Sequence, residues 1–179
     1  MPEPAAGPAP PGRTKIIVAY GLTAVGTLAW LAGIILTPYL QNRGNPWAGL
    51  VKAVYAPVCH QLPSRSFQAW GFPLAVCARC LGIYLGFAAG LVSYPFVRGF
   101  RSVRLPRTKA FLAVSAPIVA DTAATFLGLW SSPAPVRLAL GLVWGIILPY
   151  YLVTGFAELT FRRRRQDGLN PLPDRHRIG

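Results

Sequence analysis

Four stretches of the chain are apolar with almost no charge, and each is long enough to cross a bilayer. They run from Ile16 to Leu40, Phe72 to Val97, Lys109 to Trp130 and Pro135 to Phe161. At 1.5 Å rise per residue, roughly 20 residues cover the hydrocarbon. Lipid offers no partners to backbone N–H and C=O groups, so such segments satisfy their own as helices. No run alternates apolar and polar positions as a strand does. The pattern therefore predicts an all-α integral membrane four-helix bundle. Between the first two spans, Trp47, Leu50, Val51, Val54 and Tyr55 recur at helical spacing, which predicts a short amphipathic outer helix over Pro46 to Cys59. Pro57 weakens or ends that helix, and Pro63 keeps the chain extended as it turns back towards the membrane.

The flanks lack such periodicity. Residues 1–14 are rich in Pro and Ala and are expected to form a disordered tail, while residues 162–179 are expected to form a basic tail. Residues 15–161 then make one four-span domain. The first apolar run is too long for a signal-peptide core and has no small-residue cleavage site after it, so it is expected to be retained.

Composition agrees with lipid as the solvent: 53% of the 179 residues are apolar and 13% are charged, where a soluble domain carries about 25% charged residues. Eighteen Lys and Arg against five Asp and Glu would indicate nucleic acid in a polar chain. In an apolar one the anionic inner leaflet is the expected partner, with no nucleic acid. The basic residues are also unevenly placed. Arg13, Lys15, Arg98, Arg101, Arg104, Arg107, Lys109, Arg162 to Arg165, Arg175 and Arg177 fall at one end of four antiparallel spans. Only Arg43, Lys52, Arg65, Arg79 and Arg137 fall elsewhere. The positive-inside rule then predicts a multi-pass plasma-membrane protein with both termini cytoplasmic and the 41–71 connection outside.

That connection and the span after it hold all three cysteines, as Cys59-His60 and Cys77-Ala-Arg-Cys80. Cys77, Cys80 and Tyr84 share one helical face. Gly82, Gly86 and Gly90 form a small-residue stripe opposite, fit for close helix packing. A single membrane cysteine is usually only a small buried residue. Three thiols and an imidazole converging on one membrane face are instead a donor set for a thiophilic metal ion, such as zinc. Cys59, His60, Cys77 and Cys80 are the expected ligands. The alternatives are a thiol-disulfide oxidoreductase using Cys77 and Cys80, with Arg79 lowering a thiol pKa, and a non-catalytic structural or assembly protein. A relay of membrane thiols needs a second pair, and only one cysteine is left over.

The two motifs together, Cys59-His-Gln-Leu-Pro-Ser-Arg65-Ser-Phe67 and Cys77-Ala-Arg79-Cys80-Leu-Gly82-Ile-Tyr84-Leu-Gly86, resemble those of the prokaryotic membrane family known as domain of unknown function 2085. The resemblance covers roughly Val51 to the end of the fourth span. It implies a small polytopic membrane protein and brings no activity with it.

Charges inside the spans complete the set. A mid-membrane charge costs about 2.5–3.5 kcal/mol or more, so it should be paired or line a polar cavity. Counting from the outer ends predicts an Arg79–Asp121 pair. Small-residue stripes at Ala116, Ala120, Ala124 and Gly128, and at Gly141 and Gly145, are expected to draw Arg79, Asp121 and Arg137 into one outer cluster with Arg65 nearby. Glu158 has Arg162 one turn on, a local ion pair. There is no phosphate loop, nucleotide fingerprint or Ser/His/Asp set, and no inverted repeat of the kind transporters carry.

Overall fold

The computed structural model describes residues 13–98 and 108–169, with residues 154–169 as backbone. Residues 1–12 and 170–179 of the expected 1–14 and 162–179 tails, the 99–107 connection and the Glu158–Arg162 side-chain pair lie outside it, while α1 and α5 take up residues 13–14 and 162–169 of those tails. Among the described residues five helices form: α1 (Arg13–Asn42), α2 (Trp47–Val54), α3 (Ala78–Arg98), α4 (Thr108–Phe126) and α5 (Ala134–Leu169). All but α2 are long and apolar enough to cross a membrane.

The bundle is built around the α3–α5 pair, and glycine is the reason. A Cβ on Gly82, Gly86 or Gly90 would run into the backbone carbonyls of Leu138, Leu142 and Ile146. Gly141 and Gly145 meet the carbonyls of Arg79 and Ile83 in return. Two helix backbones approach this closely only when both faces lack side chains. Helix α1 crosses this pair. At one end Ile16, Tyr20, Leu91, Tyr94, Tyr150 and Val153 pack together, with the Tyr20 hydroxyl donating to the Leu91 carbonyl at 3.1 Å. At the other end Trp30, Ile34, Tyr55, Cys59, Ala75 and Val76 form the second core.

Three boundaries differ from the apolar pattern. The second span begins at Ala78, because residues before it form a small hairpin: β1 (Gln68–Ala69) pairs antiparallel with β2 (Phe72–Pro73). Trp70 and Gly71 turn it with φ of 51° and 79°, the paired left-handed conformation of tight hairpin turns. The third span ends at Phe126. Gly128 takes φ 72°, and the Leu129 N–H returns to the Ala124 carbonyl at 3.0 Å, a glycine stop signal. Helix α2 ends at Val54, four residues before Val58, and the chain coils through Pro57 to Cys59.

The alanine stripe on α4 is not its packing face. Ala116 and Ala120 are exposed, and Gly128 lies past the helix end. Instead α4 leans on α5 through Phe111, which stacks near Trp144 and Tyr151, and through Ser115, whose hydroxyl accepts the Trp144 indole N–H at 2.9 Å. Bulky and polar residues at the interface hold α4 farther off than glycine holds α3.

Candidate functional site

Residues 55–62 carry the first sulfur into the bundle end. The Tyr55 ring sits against Gly33, where any side chain would collide with it, and its hydroxyl donates to the Trp30 carbonyl at 2.7 Å. That bond ties α2 to α1, and burial raises the Tyr55 pKa, keeping the hydroxyl a donor. One turn on, the Cys59 N–H donates to the Tyr55 carbonyl at 3.0 Å and the thiol turns inward, buried. Gln61 then adopts φ 51° and sends its amide to the Lys52 carbonyl at 2.7 Å, folding the loop back on α2.

The hairpin brings in the other two sulfurs. Its closing bond, from the Leu74 N–H to the Phe67 carbonyl at 2.8 Å, sets up the buried run Ala75–Val76 that leads into α3. Cys77 precedes the span and Cys80 lies in its first turn, with Tyr84 beyond, all on the face away from the glycine seam. The sulfurs of Cys59, Cys77 and Cys80 all lie within 4.8 Å of one another, and all three cysteines are free.

Two backbone donors converge on Cys59: its Sγ accepts the Cys77 N–H at 3.2 Å and the Gln61 N–H at 3.5 Å. Hydrogen bonds of this kind stabilise a sulfur carrying negative charge. At Cys77, hydrogen bonding from Cys59 and then Cys80 favours the thiolate and outweighs burial, so its pKa falls well below the ordinary thiol value. Trp30, Tyr55 and Tyr84 wall the cluster, with ring centroids of Tyr55 and Tyr84 4.6 and 5.8 Å from that of Trp30.

His60 is placed differently from the thiols. It is exposed and is not part of the three-sulfur group, because the peptide that turns Cys59 inward turns the next side chain outward. It does line the same cavity of about 470 Å³ that Cys59, Cys77 and Cys80 open into. Arg65, at the end of the 3-10 turn Pro63–Arg65, is exposed and lines it too.

The far wall of this cavity is polar. Arg79 is ion-paired with Asp121, the two side chains 19% and 8% exposed. Both stand closer to their helix ends than the longer expected spans put them, Arg79 as the second residue of α3. Ser132 joins the pair to Arg137: its hydroxyl donates to the Asp121 carboxylate at 3.2 Å and accepts the Arg137 Nε–H at 3.1 Å. Ser132 was not foreseen from the sequence. It sits in the turn between α4 and α5, beside Pro133, where its only sequence mark is ordinary turn composition. Thr122, Thr125 and Phe126 of α4 complete the wall.

Chemically, three sulfurs this close form a donor set for one thiophilic ion. Zn–S bonds of about 2.3 Å at tetrahedral angles would place sulfurs roughly 3.8 Å apart, inside the 4.8 Å limit on their separations here. Three sulfur ligands would leave a fourth position to be filled.

Comparison with known proteins places these residues in context. The family model described as predicted membrane protein (DUF2085) matches residues 59–151, from the first cysteine into α5. An uncharacterised protein of Methanocaldococcus jannaschii is 31% identical over 150 residues, covering 80% of this chain and 96% of that protein. An uncharacterised protein of Methanothermobacter thermautotrophicus is 34% identical over 89 residues, covering 50% and 78%. No solved structure matches the chain.

Proposed function

This chain belongs to the DUF2085 family of membrane proteins, and from that premise we propose that it binds a thiophilic metal ion, zinc first among them, at its outer face. Cys59, Cys77 and Cys80 are the ligands. The observation that carries this is the convergence of their three sulfurs within 4.8 Å from segments on both sides of a hairpin. Three thiolates gathered without a cation would repel one another, and a d10 ion turns that repulsion into bonding. The two N–H groups on Cys59 then serve as the supporting shell of a metal thiolate. His60, on the cavity rim, is the fourth donor the chain can offer, and a ligand from the cavity is its competitor for that position.

The orientation is part of the same proposal. Among the described residues, Arg98 ends α3 and Arg162 to Arg165 lie in the last turns of α5, at the helix ends away from the thiols, which supports a site that faces outward and a basic end on anionic inner-leaflet lipids of the plasma membrane. A second reading draws on the Cys77 thiolate with Cys80 three residues on: a thiol-disulfide couple, whose electrons a membrane quinone would accept.

Cobalt(II) titration of the reduced, detergent-solubilised full chain separates the two. The metal reading predicts saturable sulfur-to-cobalt charge-transfer absorption at one ion per chain, lost in Cys59→Ser and retained at reduced intensity in His60→Ala. Absence of that absorption, together with a Cys77–Cys80 disulfide that forms on adding a quinone and is unaffected by Cys59→Ser, would replace it with the redox reading.

A further inference from the structure

Arginine stays protonated at any accessible pH, so a buried guanidinium without a counter-charge is costly and calls for an anion. Arg137 is such a group. It is 6% exposed, it spends its Nε–H on Ser132, and among the described residues no carboxylate lies within ion-pair distance of it. Its terminal nitrogens have no protein partner among those residues, and the side chain lines the cavity. In the same wall, Arg79 is paired with Asp121, the one carboxylate near the cavity among the described residues, and its Nε is buried with no hydrogen-bond partner. Arg65 adds a third positive charge at the rim. The thiols do not balance them: no arginine side chain hydrogen-bonds to a sulfur among the described residues, where the sulfurs contact one another and neighbouring backbone groups.

We propose that this cavity binds the phosphate group of a small ligand, held between Arg137 of α5 and Arg79 of α3. A carboxylate has two oxygens and fills one guanidinium fork. A phosphate has three free oxygens and can bridge two forks that approach from different helices. The volume of about 470 Å³ exceeds what a bare phosphate needs and lies in the range of small-molecule sites. The ligand is therefore a phosphate monoester, either free in solution or as the monoester headgroup of a lipid, with its remainder directed towards the thiols. This inference goes beyond the metal site and does not depend on it.

The test uses the full chain in a phosphate-free maltoside detergent, stripped of metal by a chelator and, separately, loaded with zinc. Equilibrium dialysis measures inorganic phosphate, and native mass spectrometry measures retained phosphatidic acid, whose headgroup is a phosphate monoester. The expected result is saturable binding of one phosphate group per chain in at least one arm, with or without metal. Arg137→Gln weakens it at least tenfold, Arg137→Lys, which keeps the charge but gives up the fork, weakens it severalfold, and Arg43→Gln, outside the cavity, leaves it unchanged. Binding in the first arm alone identifies a soluble ester, and in the second alone a lipid headgroup. Should the Gln variant fail to fold, the Lys variant carries the comparison by the same criterion. No saturable binding in either arm, binding indifferent to Arg137, or phosphate held only by the zinc-loaded protein and indifferent to Arg137 would overturn the proposal.

Discussion

Adding one methyl group to Gly86 tests whether the glycine seam sets the architecture that presents the site. An alanine Cβ there would fall 2.9 Å from the Leu142 Cα and nearer still to its carbonyl oxygen. Comfortable carbon contacts lie near 3.5–4 Å, so α3 and α5 must separate by roughly 1 Å. The colliding atoms are backbone, and no side chain can rotate away. Overpacking of this kind costs about 1–3 kcal/mol. Stretching the neighbouring Cα–H···O contacts along the seam adds about 0.5–1 kcal/mol. Alanine returns about 1 kcal/mol through helix propensity, and Gly26→Ala isolates that gain, because nothing lies within 4 Å of a Cβ at Gly26. The two variants should therefore differ by about 1.5–4 kcal/mol, at least tenfold in the unfolding equilibrium. Unfolding in mixed micelles, titrated with a denaturing detergent and followed by tryptophan fluorescence, reads the difference. Coincident transitions for Gly86→Ala and Gly26→Ala would refute the seam.

Other perturbations probe the site itself. Asp121→Asn strips Arg79 of its partner in a wall where the carboxylate is 8% exposed, so the same titration should show a loss of about 3 kcal/mol, partly recovered by adding Arg79→Gln. Tyr55→Phe removes the 2.7 Å bond to the Trp30 carbonyl and should cost about 1 kcal/mol in that assay, with the inward-facing Cys59 becoming easier to alkylate. Cys77 titrates low because Cys59 first and Cys80 second hydrogen-bond its thiolate. In metal-free wild type it should thus still be alkylated by iodoacetamide at pH 6, and Cys59→Ala should slow that reaction by at least tenfold. Peptide mass spectrometry reads the modified position, and equal rates in the two proteins would discount the sulfur–sulfur contact.

Much of this fold was legible because lipid imposes a strong rule. Four long uncharged runs leave few alternatives to four helices, and the spacing of Gly82, Gly86 and Gly90 marked the α3–α5 seam. The Arg79–Asp121 pair followed from depth counting, although both residues lie nearer the helix ends. The boundaries were less readable where the physics was local. Phe72 looks like the start of a span, yet two-residue strands are too short to show alternation. At Gly128 the stop signal was present in the sequence, but the apolar Leu127, Leu129 and Trp130 around it continued the hydropathic run. The α4 contact face was misplaced because small residues mark close packing only where two stripes meet, and the stripe of α5 was already taken by α3. His60 shows the limit of spacing arguments in loops: adjacent residues in an extended turn point apart, and no periodicity reports which points inward. Ser132 gave no signal beyond its turn, since a hydroxyl bridge is set by tertiary geometry alone.

The three sulfurs of Cys59, Cys77 and Cys80, within 4.8 Å of one another, are expected to hold an ion. Elemental analysis of the full chain purified in detergent under reducing conditions, without added metal or chelator, measures this directly. About one thiophilic ion per chain is expected, with zinc as the leading element. Single Cys→Ser variants at positions 59, 77 and 80 should each lose it, and the thiols of the wild type should resist alkylation until a chelator is added. A wild type carrying no thiophilic metal, with all three thiols freely alkylated, would contradict the account.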